Sequence, residues 1–280
     1  MLLLPHKNWS VLLTEDEISL LLTDLIDIYG YDFTGYSKPM LYRRINRLFK
    51  LRSFSGFTAF RYLLIHDPEY LNWFISEITV PVTEMFRDPS FFLALRNEVL
   101  PTLSASPLIR IWHAGCSTGE EAYSMAIVLK ELNLLEKSIL YATDINREVL
   151  KVAASGIFSQ KSLKQYSENY INSGGAASFS DYYTAHYDLV KFDDQLKKRI
   201  VFSTHNLAAD TSFNHFQLII CRNVLIYFNQ NLQNRVFALF DNSLETSGFL
   251  SLGSKETLRF AAIHQHYQII NQKEKIWQKQ

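Results

Sequence analysis

Residues 109–124 read Ile-Arg-Ile-Trp-His-Ala-Gly-Cys-Ser-Thr-Gly-Glu-Glu-Ala-Tyr-Ser. A short β-branched and aromatic run ends at Ala114, Gly115 and Gly119 bracket a tight loop, and an amphipathic helix starts near Glu120. Strand, glycine turn and helix N-terminus form a cradle of the nucleotide-binding type: glycine lets a ligand approach the backbone, and unpaired helix N–H groups line the opening. A second short strand, Tyr141-Ala-Thr-Asp144, ends in an acid, the usual place for gripping a ribose in an α/β sheet. The loop is neither Gly-x-Gly-x-x-Gly nor Gly-x-x-x-x-Gly-Lys-Ser/Thr, so the dinucleotide reading weakens and a P-loop is excluded. A ribose-bearing cofactor without phosphate fits better, and S-adenosylmethionine is the common one. The competing reading is a plain strand-to-helix turn with an exposed Asp144.

From Leu108 onward strands alternate with helices. Strands are expected at 109–113, 139–143, 200–202, 216–221 and near 248–252, 265–270 and 275–278, with helices at 120–132, 146–154 and 229–245. This predicts an α/β fold, a mostly parallel sheet with helices on both faces. The first 80 or so residues read as helices. Thr14-Glu-Asp-Glu17 is a capping box and Gly30 a helix stop; Asp67-Pro68 and Asp88-Pro89 each predict a cap followed by a first turn, with Pro101 closing the last helix. The cluster Pro101, Ser104, Ser106, Pro107 predicts a linker at about 101–107, dividing a helical domain (1–100) from an α/β domain (108–280). Residues 155–199 break the rhythm, and the tyrosine-rich stretch Phe179–Phe192 suits a short strand pair.

The composition is that of a soluble globular chain: 48% hydrophobic, 20% charged, with zero formal net charge over 280 residues. Global charge therefore does not steer it to nucleic acid, although local patches remain open. The two cysteines, Cys116 and Cys221, each sit inside a motif, which argues against a disulfide framework and for a reducing cytoplasm. Met1–Pro5 lacks the basic start of a signal peptide, and Asp24 and Asp27 interrupt the most apolar helical run. His113 and His205 lie beside motifs, yet no Cys/His/Asp spacing suits zinc, so no metal is expected.

Gly115-Cys-Ser-Thr-Gly-Glu-Glu-Ala-Tyr-Ser124 resembles the signature of the chemotaxis receptor methyltransferases, the CheR family. Three further blocks follow in the same order: Val82-Thr-Glu-Met-Phe-Arg-Asp-Pro89, Ala142-Thr-Asp-Ile-Asn146 and Cys221-Arg-Asn-Val-Leu-Ile-Tyr-Phe228. The resemblance runs from about Phe33 to the C-terminus. It implies a Rossmann-like S-adenosylmethionine-dependent methyltransferase domain, an all-α N-terminal domain and a small β insertion at about 175–199. It also implies a cytoplasmic protein-glutamate O-methyltransferase that forms glutamate methyl esters on a chemoreceptor-like protein, and S-adenosylhomocysteine as product. In some family members the insertion docks a peptide tether through a Gly-x-Gly loop. That loop is missing here, which favours action without a tether.

The resemblance carries cofactor contacts onto Thr83, Arg87, Gly115, Glu121, Asp144, Asn206, Leu207, Asn223 and Val224. Arg87 and Tyr227 fall at the methyl-transfer site. A guanidinium suits a carboxylate through two parallel hydrogen bonds, although Arg87 also has Glu84 and Asp88 as neighbours for a surface ion pair. Three departures stand out: Met85 for a usual phenylalanine, Ala122 for a common proline, and Pro81 where asparagine often contributes to the cofactor site. Residues 38–52 hold six basic side chains and no acid, and Arg43, Arg47 and Lys50 share one helix face. That face is either a solvated surface or a docking surface for a glutamate-rich helical receptor segment. Nucleic-acid partners and membrane insertion are not expected, and a monomer is. Two rivals remain: a binding module that senses S-adenosylmethionine without catalysis, and a methyltransferase of the same fold with another acceptor.

Overall fold

A computed structural model describes residues 12–280 apart from 53, 80 and 81. The chain forms two compact units, one up to residue 80 and the other from 81 on. The boundary is therefore not at 101–107. The segment after residue 81 carries Met85, Phe86, Phe91, Phe92 and Leu95, all buried in the core of the second unit. A cluster of prolines and serines marks a turn there, but the apolar side chains before it decide where that segment packs.

Among the described residues the first unit holds four helices: α1 (Glu15–Tyr29), α2 (Lys38–Leu51), α3 (Phe57–His66) and α4 (Pro68–Thr79). The Thr14 hydroxyl accepts from the Glu17 amide at 3.2 Å while the Glu17 carboxylate accepts from the Thr14 amide at 2.8 Å, completing the predicted capping box. Gly30 ends α1 in the left-handed conformation at φ 75°. Asp67 Oδ1 caps α4 through the amides of Glu69 and Tyr70, each at 3.0 Å. Leu41, Ile45 and Leu48 bury the inner face of α2, and Phe60 of α3 meets Phe49 and Phe74 edge-on at 5.5 and 5.9 Å. Arg61 closes a fork on Asp24 with bonds of 2.5 and 2.8 Å, tying α3 to α1.

The second unit opens with α5 (Pro89–Ala94), a π-helical turn (Leu95–Val99) and α6 (Leu100–Leu103). Pro101 thus lies inside helical structure and does not close it. The π turn shifts the hydrogen-bond register, so the proline falls in the first turn of α6, where its missing N–H is tolerated. Asp88 does not cap α5 either. Its φ is 55°, and its carboxylate is drawn to Arg222 instead.

The chain then runs β1 (Ile109–Ala114), α7 (Glu120–Glu131), β2 (Ser138–Asp144), α8 (Arg147–Ser155), β3 (Ile157–Ser159), α9 (Leu163–Asn172), β4 (Tyr183–His186), β5 (Leu189–Phe192) and α10 (Asp194–Lys197). It finishes with β6 (Ile200–Thr204), β7 (Phe216–Cys221), α11 (Gln230–Ser243), β8 (Leu244–Leu252), β9 (Tyr267–Asn271) and β10 (Ile276–Lys279). Seven strands form one sheet in the order β6-β2-β1-β7-β8-β10-β9, parallel through β8 and antiparallel at β10 and β9. Alternation along β1 sends its side chains to two layers. Ile109 and Ile111 join the core that includes the buried residues of α7, while Trp112 meets Phe240 of α11 at 5.4 Å. The central parallel strand β7 is buried on both faces, which is why it reads Phe-Gln-Leu-Ile-Ile-Cys with every residue covered, whereas the edge strand β6 is largely exposed.

The insertion is a three-stranded sheet, β3-β5-β4, and begins earlier than 175. The expected strand pair is β4–β5, and β3 joins it because Phe158 packs on Phe192 at 5.5 Å and on Tyr123 of α7 at 5.6 Å. Glu131, at the end of α7, accepts from Tyr182 Oη at 2.9 Å, from the Ala176 amide at 3.1 Å, and from Tyr170 Oη and Arg96. One buried carboxylate thus joins α7, α9, the insertion and the π turn. Among the described residues no helix is long and apolar enough to cross a membrane.

Candidate active site

Strands β2, β1 and β7 are parallel neighbours, so Asp144, Ala114 and Cys221 end on the same edge of the sheet. This is the edge where open α/β sheets hold ligands. The glycine loop folds over the end of β2: the amides of Gly115 and Cys116 donate to Thr143 O at 2.8 and 2.9 Å. The Ser117 amide then donates to Asp144 Oδ2 at 2.9 Å, and the Asn146 amide to Oδ1 at 2.9 Å. Burial raises the Asp144 carboxyl above its ordinary range, against the pull of these amides.

Both loop glycines are required by geometry. Gly115 has φ 83°, and a Cβ there would lie 2.5 Å from Val224 Cγ2. Gly119 has φ 95°, and its Cβ would lie 2.8 Å from the Ala153 Cβ. The sheet therefore brings Val224, after β7, against the loop after β1. Asn223 takes φ 62° and its amide donates to Glu256 Oε2 at 3.1 Å.

Glu121, in the first turn of α7, meets His113 Nδ1 at 2.9 Å, and Glu120 accepts from the Thr118 hydroxyl at 2.6 Å. His113 is fully buried on β1 with no partner for Nε2, and the buried Ser117 Oγ has none either. Asn206 and Leu207 follow β6. The Asn206 amide donates to Asp210 Oδ2 at 2.8 Å, its carboxamide oxygen accepts from the Ala208 amide at 2.9 Å, and Leu207 is buried. The loop reaches the site because the His205 amide donates to Asp144 O at 3.2 Å.

The segment 82–88 is pinned over α7. The Phe86 amide donates to Ser124 Oγ at 2.9 Å, and Asn169 Nδ2 donates to Met85 O at 3.0 Å. Met85 fills the apolar slot beside Ser124, its sulfur 3.5 Å from the hydroxyl. Arg222 Nη2 binds Asp88 Oδ2 at 2.8 Å, joining this segment to the end of β7. Arg87 and Thr83 are half-buried within it, and Arg87 Nη1 donates to Val82 O at 3.1 Å. No carboxylate pairs with Arg87 among the described residues: Asp88 is taken by Arg222. Tyr227 is half-buried at the end of a 3-10 turn, Leu225–Tyr227, directly after Asn223 and Val224. Pro81 lies outside the described residues.

Backbone strain gathers at this edge. Of eight non-glycine residues with positive φ among the described residues, Phe86, Asp88, Ser117 and Asn223 all belong to these loops. Such conformations persist where the surroundings over-determine them. One residue that sequence reasoning passed over provides much of that constraint. Glu256, buried in the loop after β8, accepts from the amides of Gly253 (2.5 Å), Asn223 (3.1 Å), Val224 (2.9 Å), Leu225 (2.7 Å) and Ile226 (3.3 Å). Its only sequence signal is an acid shortly after a glycine that ends a strand.

With Glu120, Glu121 and Asp144 around it, the cradle is electronegative and its helix N-terminus already carries acids. A phosphate is poorly suited to this; a nucleoside carrying positive charge suits it well, which is the charge of S-adenosylmethionine. Both cysteine thiols are pushed well above their ordinary range by burial, so neither is poised as a nucleophile. Among the described residues no cluster of acids, histidines and cysteines has the arrangement to hold a metal.

Residues 81–276 match the family described as CheR methyltransferase, SAM binding domain, and residues 16–79 match CheR methyltransferase, all-alpha domain. The chain belongs to the CheR methyltransferase family. It is 47% identical over 268 residues to the Pseudomonas putida KT2440 protein named putative methyltransferase Cher3, covering 95% of this chain and 97% of that one. It is 31% identical over 271 residues to the chemotaxis protein methyltransferase of Borreliella burgdorferi (90% and 92% covered). The corresponding Escherichia coli K12 protein is 30% identical over 237 residues (81% and 79% covered). The second unit is a CheR-type methyltransferase domain that binds S-adenosylmethionine.

The basic face of α2 is present on the first unit, with Arg43, Arg47 and Lys50 all exposed. Arg47 is paired with Glu77 of α4, whereas Arg43 and Lys50 have no carboxylate partner among the described residues.

Proposed function

We propose that this protein transfers the methyl group of S-adenosylmethionine to glutamate side chains of a chemoreceptor-like protein, giving glutamate 5-O-methyl esters and S-adenosylhomocysteine. The observation that carries this reading is Arg87. It is a half-buried guanidinium on a strained, pinned segment, with one N–H on Val82 O and no carboxylate partner among the described residues. Such a group is ready to take a carboxylate from outside. The relatives named chemotaxis protein methyltransferase support an acceptor that belongs to chemotaxis.

S-Adenosylmethionine supplies an activated methyl on a sulfonium. In this reading Asp144 accepts from the ribose hydroxyls, Asn206 and Leu207 flank the adenine, and Gly115 with Val224 forms the wall of the cradle. Glu121, oriented by His113, faces the methionine end, and Thr83 and Asn223 complete the rim. A glutamate acceptor is already ionised at neutral pH, so no general base is needed. The protein's work is to hold the carboxylate in line and keep water out. Arg87 binds the carboxylate so that one oxygen stays free to attack, and the Tyr227 hydroxyl helps fix its position. Arg43 and Lys50 would meet a glutamate-rich helical segment of the receptor. The insertion lacks a Gly-x-Gly loop, so this meeting would not use a peptide tether. The setting is the cytoplasm and the working form a monomer.

The test is incubation with methyl-labelled S-adenosylmethionine and the cytoplasmic fragment of a chemoreceptor. Label released as methanol by mild alkali, and abolished in Arg87→Ala, is the expected result. Alkali-stable label would point to another acceptor atom and overturn the glutamate reading.

A further inference from the structure

The loop from Gly253 to Ala261 does more than carry Glu256. On it two clefts meet: one is lined by Ile226, Thr257 and Phe260, and a larger one, about 450 Å³, contains Thr257, Phe260, Arg259, Ile269 and Lys275. Thr257 and Phe260 line both, so the clefts adjoin along this loop, and the two together are the trough. It begins at Ile226, on the 3-10 turn that carries Tyr227 and that Glu256 of this same loop holds by its amides. It ends at Lys275, whose carbonyl accepts from the Leu252 amide at 3.0 Å on the same edge of the sheet.

The floor of this trough is apolar and open. Phe260 is 75% exposed, Ile269 48% and Ile226 40%. The rim is basic. Lys255 and Arg259 are exposed, Lys275 is half-buried, and none of the three pairs with a carboxylate among the described residues; Arg259 lies over the Phe260 ring, 5.9 Å from its centroid. No acid lines the larger cleft. The one acid of the smaller cleft, Glu256, spends both oxygens on backbone amides. In a chain of zero net charge, cations without a carboxylate partner among the described residues, gathered around an exposed aromatic ring, are a local departure that solvation of single residues does not require.

We propose that this trough seats the stretch of the methyl acceptor that flanks its target glutamate: an acidic segment that presents one apolar side chain to Phe260 and Ile269. The inference rests on the methyl-ester reading above and names a second contact of the same site. Apolar contact at the centre would give affinity, and the basic rim would set register and favour acidic partners. Because Ile226 shares its 3-10 turn with Tyr227, a segment lying in the trough would reach the turn that carries this candidate transfer-site residue.

The test uses the full chain and a labelled glutamate-rich peptide carrying a single leucine, with a glutamine-for-glutamate twin as control. Binding is read by fluorescence anisotropy at low and moderate salt. Wild type is expected to prefer the glutamate peptide by about fivefold or more at low salt. Arg259→Glu with Lys275→Glu should remove that preference while S-adenosylhomocysteine affinity stays unchanged, and Phe260→Ser should weaken both peptides. Arg43→Glu with Arg47→Glu serves as comparison, so that binding to the face of α2 is accounted for. Equal affinity of wild type and the Arg259/Lys275 variant for the glutamate peptide overturns the proposal. So does an oligonucleotide or anionic vesicle that responds to these substitutions when the peptide does not. If the variant methylates a receptor fragment with wild-type KM, the trough proposal falls and the methyl-ester reading stands. If trough-dependent peptide binding appears but no alkali-labile ester forms on a receptor fragment, the methyl-ester reading falls and the trough survives as an acidic-segment site.

Discussion

Glu256 Oε1 lies 2.7 Å from the amide of Leu225, a residue 31 positions away, and the same oxygen also accepts from Val224 and Ile226. A buried carboxylate thereby acts as the missing end of the 3-10 turn that carries Tyr227. It holds Val224 against Gly115 in the same step. Replacing Glu256 with Gln puts an NH2 group among N–H donors. Glu256→Gln should destabilise the fold by about 2–4 kcal/mol, since each buried donor left unpaired costs about 1–3 kcal/mol. Thermal melting reads the loss, and calorimetry should show weaker S-adenosylmethionine binding even in the folded fraction. An unchanged melting temperature would remove Glu256 from this role.

Gly115→Ala should drive a methyl group into Val224 and strain a φ of 83°. The expected cost is about 1–3 kcal/mol, expressed mainly as lost S-adenosylhomocysteine affinity. Adding Val224→Ala should restore part of it, because only the collision is relieved and the φ strain remains. Titration of the single and double variants checks the coupling.

Asp144 separates stability from binding. Burial raises its carboxyl, so its ionisation works against the fold. Its contribution to stability is full below the ordinary carboxylate range and declines as pH rises through the raised value. Asp144→Asn should therefore melt no lower than wild type at neutral pH in the absence of ligand. Cofactor affinity should fall by about tenfold or more, a loss of about 1.4 kcal/mol per decade. Wild-type affinity should itself weaken as pH drops through the raised value, and that dependence should vanish in the variant.

Glu131 behaves in the opposite way. Burial alone would raise it, but hydrogen bonds from Tyr170 and Arg96 and the charge of Arg96 prevail and hold it below its ordinary value. Its stabilisation is present above the ordinary glutamate range and is lost as pH falls through the lowered value. Glu131→Gln should leave Arg96 buried without its counter-charge, cost about 3–5 kcal/mol and flatten the acid limb of the melting profile.

Arg43→Glu with Arg47→Glu tests the basic face of α2. The Arg47–Glu77 pair is exposed, so its loss should cost no more than about 1 kcal/mol of stability. Receptor methylation should drop through a raised KM, more at low salt than at high salt, while cofactor binding is unchanged. Equal activity across a salt series would leave the face a solvated one.

The residues that could be recognised from sequence alone are those whose local backbone chemistry is distinctive. Gly115, Gly119 and Asp144 stand at strand ends and turns where positive φ or an acid closing a strand leaves a mark within a few positions. The helix caps at Thr14, Gly30 and Asp67 follow the same logic. Asp88-Pro89 shows where that logic stops. The dipeptide looks like Asp67-Pro68, but Arg222 lies across the sheet, 134 residues away, and takes the carboxylate that a local cap would have used.

Thus the sequence by itself determined the strand–loop–helix cradle, the acid at the end of β2, the alternating α/β order and the basic face of α2. Each of these is encoded by side chains within a few turns of one another. Tertiary structure alone decided that the segment 82–107 belongs with the second unit and that β3 joins the insertion. It also decided that Arg87 has no carboxylate partner among the described residues while Asp88 is paired with Arg222, and that Glu256 braces the loop of Asn223 to Ile226. The physical reason is shared by all four. Burial and pairing between segments far apart in the chain outweigh local propensity, and no short window of sequence carries the identity of the distant partner.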